Sequence, residues 1–108
     1  MKLTFHERVA LLELVPAQED YAGLKEIRRL RETCAISGEE AQKYGDKQPD
    51  GGWIINFNKT AGTTKEVPIG EWMTEKIRDI LRKKDEKHQL EEKLMSLYEK
   101  FIVNYQQY

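Results

Sequence analysis

Residues 53–69 read WIINFNKTAGTTKEVPI, and they separate three predicted helices from two more. Residues 53–57 are mostly β-branched or aromatic, and residues 65–69 alternate polar and apolar side chains, which is typical of strands. Gly62 lies in the segment between them, so we predict a β-hairpin at about 53–69. Pro68 has no backbone N–H, which places its strand at the edge of a sheet.

The apolar side chains of this hairpin are expected to cover the helices. Trp53, Ile55 and Phe57 lie on one face of the first predicted strand, because alternate residues of a strand point to the same side. Val67 and Ile69 of the second predicted strand should pack on that side as well. On this interpretation Trp53 is part of the core.

Three helices are predicted before the hairpin. Thr4 and Glu7 form a capping box for the first helix, and Pro16 ends it. The second helix runs from about Tyr21 to Cys34. Residues 37–40, with the sequence SGEE, are a second capping box, which opens a short third helix.

Two further helices are predicted after the hairpin. The fourth follows Gly70, and the charged segment 85–88 predicts a break after it. The fifth carries apolar residues at spacings of three and four from Leu90 to Tyr105. We therefore predict a mainly helical α+β fold, a single domain over residues 1–108 with about five helices and one β-hairpin inserted between helix three and helix four.

Composition limits the function classes that this chain can belong to. The 18 basic and 19 acidic side chains leave a net charge of −1, and the pI is about 6.1. A domain that binds nucleic acid with its whole surface would be much more basic. No apolar run approaches the ~18 residues of a membrane span, and no signal peptide is visible. With one cysteine, Cys34, the chain is expected to be cytoplasmic and to have no membrane partner.

No group of residues in the sequence assembles a catalytic or metal site. His6 and His88 are the two histidines, and neither lies near other ligands at metal-binding spacing. Cys34 falls on the apolar face of the second helix, which predicts a buried thiol rather than a nucleophile. We therefore expect no enzyme activity, no cofactor and no metal ion.

A basic patch on the second helix is the first candidate binding site. Lys25, Arg28 and Arg29 could contact phosphates, and three helices followed by a hairpin is the element order of a winged-helix nucleic-acid-binding protein. Glu39 and Glu40 oppose this alternative, because they put negative charge on the helix that would face DNA. A weaker alternative is a nucleotide-binding sponge, in which Arg28 or Arg29 holds phosphates between subunits.

The C-terminal helix is the second candidate site. Tyr98, Phe101, Ile102, Tyr105 and Tyr108 fall on or near one side of it, and tyrosine is common in interfaces because its ring is apolar and its hydroxyl stays hydrated. These side chains either cover the core or form a seam with another chain. We adopt the seam as the hypothesis for Tyr98, Phe101, Ile102 and Tyr105, with a homodimer or small homo-oligomer, or another protein, as the partner.

The two ends of the chain carry recognisable patterns. Residues 3–12 read LTFxERxALL, and residues 96–101 read SLYEKF. Between them lie a Trp-bearing strand, a Lys-Glu-Val strand and an Ile-Gly pair that opens a helix. This combination resembles small proteins of tailed bacteriophages and prophages over most of the chain.

The resemblance implies a phage origin and expression in the cytoplasm of a bacterial host. It implies no site residues. Small phage proteins without catalytic residues commonly act by binding, either to inhibit host or defence proteins or to assist assembly. Our leading hypothesis is therefore a non-enzymatic protein–protein interaction module, phage-encoded, that binds a host, defence or phage protein.

Overall fold

Short strands and longer helices follow one another along residues 1–105, which are the residues that the computed structural model describes. The helices are α1 (Phe5–Leu14), α2 (Tyr21–Cys34), α3 (Gly38–Tyr44), α4 (Glu71–Glu86) and α5 (Met95–Tyr98). The strands are β1 (Lys2–Thr4), β2 (Gly45–Lys47), β3 (Trp53–Ile55) and β4 (Thr64–Glu66). The prediction of a mainly helical α+β fold with a hairpin between the third and fourth helices is confirmed.

The hairpin between α3 and α4 is made of β2 and β3. These strands are antiparallel, with Gly45 opposite Ile55 and Lys47 opposite Trp53. The loop between them contains Gly51, whose φ of 88° is a left-handed conformation that glycine adopts without steric cost. β2 begins directly at the end of α3.

The predicted pairing of residues 53–57 with residues 65–69 is wrong. β4 is antiparallel to β1 at the start of the chain, with Leu3 opposite Lys65. The core explains this arrangement, because Leu3 and Val67 are both fully buried in it and the β1–β4 pair brings them in together. Pro68 lies beyond the end of β4, so it removes no hydrogen bond from the ladder.

The hydrophobic core is formed between α1, α2, α4 and the residues from Leu94 to Phe101. α3 contributes no buried side chain to it. The fully or nearly fully buried members of the core are Leu3, Ala10, Leu11, Val15, Ile27, Leu30, Cys34, Val67, Met73, Ile77, Leu81, Leu94, Leu97 and Phe101. The predicted burial of Cys34 is confirmed, and burial raises the pKa of its thiol.

The predicted capping boxes are both present. The N–H of Glu7 donates to Thr4 Oγ1 at 3.1 Å, and the N–H of Thr4 donates to Glu7 Oε1 at 2.9 Å. The same reciprocal pair of bonds joins Ser37 and Glu40. Each box satisfies N–H groups that the first turn of a helix leaves without an intrahelical acceptor, so the starts of α1 and α3 are fixed locally.

The fifth helix is shorter and less regular than the sequence predicts. A 3₁₀ turn (Glu92–Leu94) precedes α5, and a π-helical turn (Glu99–Val103) follows it. The predicted break after the fourth helix is confirmed, since α4 ends at Glu86 and His88 has a φ of 56°. We refer to residues 92–103 as the C-terminal segment.

Candidate interaction surfaces

A buried polar junction centred on Arg8 holds three helices together. Arg8 is 1% exposed. Its Nε donates to the carbonyl oxygen of Cys34 at 3.1 Å, and its Nη2 donates to that of Ala35 at 2.7 Å. Its two terminal nitrogens also reach the two carboxylate oxygens of Glu40, at 2.7 and 3.0 Å. The junction therefore ties α1 to the end of α2 and the start of α3 with bidentate, charge-assisted hydrogen bonds.

The electrostatics of this junction follow from its geometry. Hydrogen bonds from Arg8 lower the pKa of Glu40 to about 2, against burial that would raise it, and the N–H of Ser37 adds to the effect. Nearby, burial disfavours the charged form of Glu7, but bonds from Lys100 and Thr4 outweigh it and lower its pKa. These paired charges link α1 to α3 and to Lys100 near the C-terminus.

The predicted C-terminal interface is largely part of the core. Phe101 is fully buried within the chain, so its assignment to an interface is wrong. Tyr98 is half-buried, and its hydroxyl lies 3.1 Å from Asp85 Oδ2. Ile102 is also half-buried and packs against the core. The apolar stripe of the C-terminal segment is thus covered for the most part by α4 and α1 of the same chain.

Tyr105 marks the end of the described chain. It is half-buried, and the guanidinium carbon of Arg78 lies 4.5 Å from the centre of its ring. Such a cation–π contact occupies the ring face within the chain. Tyr108, the last aromatic residue of the predicted seam, lies outside the described residues.

The basic residues of α2 are exposed, as a binding role requires. Lys25, Arg28 and Arg29 all face solvent, but they do not act as one group. Arg29 lies 3.5 Å from Glu26, which partly neutralises it. Lys25 lies over the ring of Tyr21, with the ammonium nitrogen 5.6 Å from the ring centre. Arg28, the third basic residue of the predicted patch, lines a different feature of the surface.

That feature is a shallow groove between the end of α1 and α2, which we call the α2 groove. Its volume is about 330 Å³. Its lining residues are Pro16, Ala17, Leu24, Ile27, Arg28 and Arg31. Leu24 is an apolar residue of this lining and is 39% exposed. The groove therefore combines an apolar floor with two guanidinium groups at its side.

The β2–β3 hairpin is a second surface with exposed apolar side chains. Trp53 is 43% exposed and Ile54 is 60% exposed, so the prediction that Trp53 covers the helices is wrong. Ile55 and Phe57 are half-buried, and the Phe57 ring stacks on His6 at a centroid distance of 4.0 Å. Residues 53–55 are all apolar, and a strand sends neighbouring side chains to opposite faces. This run was the signal in the sequence that apolar side chains would lie on both faces of the strand.

A second groove, the third of these surfaces, lies between α1 and the C-terminal segment. It measures about 540 Å³ and carries the carboxylates of Glu13, Glu92 and Glu99. Glu13 pairs with Lys93 at 2.8 Å. Within residues 1–105, no three or more His, Cys, Asp or Glu side chains gather as metal ligands would, and no helix is long and apolar enough to cross a membrane.

Comparisons with known proteins identify no relative of this chain. No protein-family model, curated protein or solved structure matches the chain.

Proposed function

We propose that the chain is a non-enzymatic protein-binding module whose α2 groove holds an acidic, partly apolar segment of another protein. One observation carries the proposal: Leu24 is exposed in a groove flanked by Arg28 and Arg31. Exposed apolar side chains beside arginine are typical of the centres of protein interfaces, where tyrosine and arginine supply much of the binding energy.

The chemistry of the groove selects the class of partner. Pro16, Ala17 and Leu24 offer apolar contact, while Arg28 and Arg31 can each bind a carboxylate through two parallel hydrogen bonds. A segment with aspartate or glutamate beside leucine or isoleucine matches both features. Because the basic residues are few and the groove is small, most of the specificity would come from this combination rather than from net charge.

The resemblance to proteins of tailed phages supplies the biological setting of the proposal. On that basis we place the partner among host, defence or phage proteins and the site of action in the bacterial cytoplasm. The geometry of the α2 groove is independent of this setting and would bind an acidic segment from any source.

A winged-helix nucleic-acid binder is less well supported by the geometry. The helix that would enter the major groove, α3, has only seven residues, and its Glu40 is held by Arg8. The hairpin loop, residues 48–52, carries Asp50 and no basic side chain. A nucleotide sponge would also use Arg28 or Arg29, yet Arg29 is paired with Glu26.

The proposal is tested by charge reversal in the groove. Arg28→Glu and Arg31→Glu, made together, should abolish capture of the partner from a bacterial lysate by the immobilised chain, as read by quantitative mass spectrometry. Arg82→Glu with Lys87→Glu is the matched control, because both residues are exposed and the change in charge is the same. The control should capture the partner as the wild type does.

Two outcomes would contradict the proposal. Equal capture by the wild type and the groove variant would show that the α2 groove is not the binding site. A gel shift of duplex DNA that weakens steeply with salt, and that disappears in the groove variant, would favour the nucleic-acid alternative instead.

A further inference from the structure

The hydrogen bonds of the β2–β3 hairpin define which edge of β3 is free. The N–H of Asn56 donates to the carbonyl oxygen of Tyr44, and the N–H of Gln48 donates to that of Gly52, each at 2.8 Å. These two bonds bracket the strand pair. In an antiparallel ladder, hydrogen-bonded pairs alternate with pairs that are not hydrogen-bonded. The two bonds therefore determine which of the residue pairs between them are hydrogen-bonded.

This alternation leaves two residues of β3 with backbone groups that face away from β2. Ile54 is opposite Asp46, midway between the two bonds, so it belongs to a hydrogen-bonded pair. Trp53 and Ile55 then belong to the other kind of pair, and their N–H and C=O groups face away from β2. Among the described hydrogen bonds, none reaches these four groups.

The side chains on this edge lack the usual protection against pairing with another strand. Native sheets guard exposed edges with lysine, proline or inward-pointing charge. Residues 53–57, WIINF, contain no charge and no proline. Ile54 and Trp53 are substantially exposed, so both the polar backbone and the apolar side chains of this edge meet water.

We propose that β3 pairs with β3 of a second copy of this chain, antiparallel about a two-fold axis through Ile54. In that register Trp53 of one copy faces Ile55 of the other, and these are the residues whose N–H and C=O groups point outward. The two copies of Ile54 form the central pair without hydrogen bonds, where side chains approach most closely. The four strands of two hairpins then make one continuous sheet.

The sequence of the strand argues for a second copy rather than a different peptide. In the antiparallel register, Trp53 of each copy lies opposite Ile55 of the other copy. The pairing of an aromatic with a β-branched side chain therefore occurs twice. With no charge in residues 53–57, nothing in the edge repels an identical edge or selects a charged partner. The interface is a single short strand on each side, so it belongs to the small class and should dissociate at micromolar concentrations.

Sedimentation velocity over a range from about 1 to about 200 μM tests the proposal. The wild type should shift from monomer to dimer across that range. Ile54→Lys places two like charges opposite each other and should raise the dissociation constant at least about tenfold. Val103→Lys is the control, since Val103 is exposed on the C-terminal segment, and it should dimerise as the wild type does.

Two further variants test the register itself. Trp53→Pro removes an outward N–H without removing a bond to β2, and it should weaken the dimer while the circular dichroism stays unchanged. Ile54→Cys should form an intermolecular disulfide under mild oxidation, because the paired Cα atoms lie within bridging distance. Met95→Cys, equally exposed elsewhere, should not.

The proposal is overturned if the wild type is a monomer at the highest concentration, or if Ile54→Lys leaves the dimer intact. A dimer that is broken by Ile102→Glu and not by Ile54→Lys would return the interface to the C-terminal segment. Neither result bears on the α2 groove, which is tested by charge reversal at a separate surface.

Discussion

The Arg8 junction and the β2–β3 hairpin reverse the usual positions of charged and apolar residues. At the junction a guanidinium group is almost completely buried, and four hydrogen bonds to protein oxygens surround it. In the hairpin, Trp53 and Ile54 are exposed, and the outer edge of β3 makes no hydrogen bond within the described chain.

The difference shows which parts of the molecule are complete within one chain. A buried charge is tolerated when hydrogen bonds compensate its loss of hydration, and at the Arg8 junction all three guanidinium nitrogens donate to protein oxygens. The hairpin has unused donors, acceptors and apolar area, and all three are used when another strand arrives. Stability should therefore be concentrated at the junction, and self-association at the hairpin.

Removing Arg8 should produce the largest effect. Arg8→Ala removes the guanidinium donor from the buried carbonyl group of Cys34 and from the partly buried bonds to Ala35 and Glu40. Breaking one side of a buried pair in this way costs about 3–5 kcal/mol. Urea unfolding followed by circular dichroism would measure it, with the exposed Arg28→Ala as the control. A loss below about 1 kcal/mol would mean that water replaces the guanidinium, and the contrast with the hairpin would fail.

Acid should weaken the junction next. The pKa of Glu40 is lowered from 4.5 to about 2 in the folded chain, so its contribution is fully present above about pH 4.5 and is lost as the pH falls toward 2. The loss is at most about 3 kcal/mol. Unfolding free energies measured from pH 6 to pH 2.5 should show it. Glu40→Gln should flatten this dependence, whereas Glu39→Gln, an exposed neighbour, should leave it unchanged.

The hairpin should show the smallest effect on stability. Trp53→Ala is expected to lower the free energy of unfolding by about 1–2 kcal/mol, because nearly half of this residue is already exposed to water in the monomer. Phe101→Ala is the matched aromatic truncation and should cost about 3–5 kcal/mol. Both are measured at concentrations where the chain is monomeric. Equal losses would place Trp53 in the core, as the sequence pattern predicted.

Local signals in the sequence predicted the helix ends well. The capping boxes at Thr4 and Ser37 use residues three positions apart, and the break at 85–88 follows from a short charged run. Such interactions depend on neighbours along the chain, so a pattern is enough to find them. The fifth helix was predicted too long, because the spacing of its apolar residues is compatible with both α and π turns.

Contacts between distant residues could not be predicted in the same way. β1 pairs with β4 across about sixty residues, and nothing in Leu3 or Thr4 indicates this partner. The burial of Arg8 depends on oxygens of Cys34, Ala35 and Glu40, which only the folded chain brings together. For the same reason the C-terminal stripe was interpreted as a seam, although α4 and α1 cover much of it.

The position of Cys34 gives the molecule an internal reporter of its own opening. It is the single cysteine of the chain and is 1% exposed, and its carbonyl oxygen accepts the bond from Arg8 Nε. A thiol in this position reacts with an alkylating reagent only while the core around it is open. The labelling rate of the unmodified protein therefore reports how often the core around Cys34 opens.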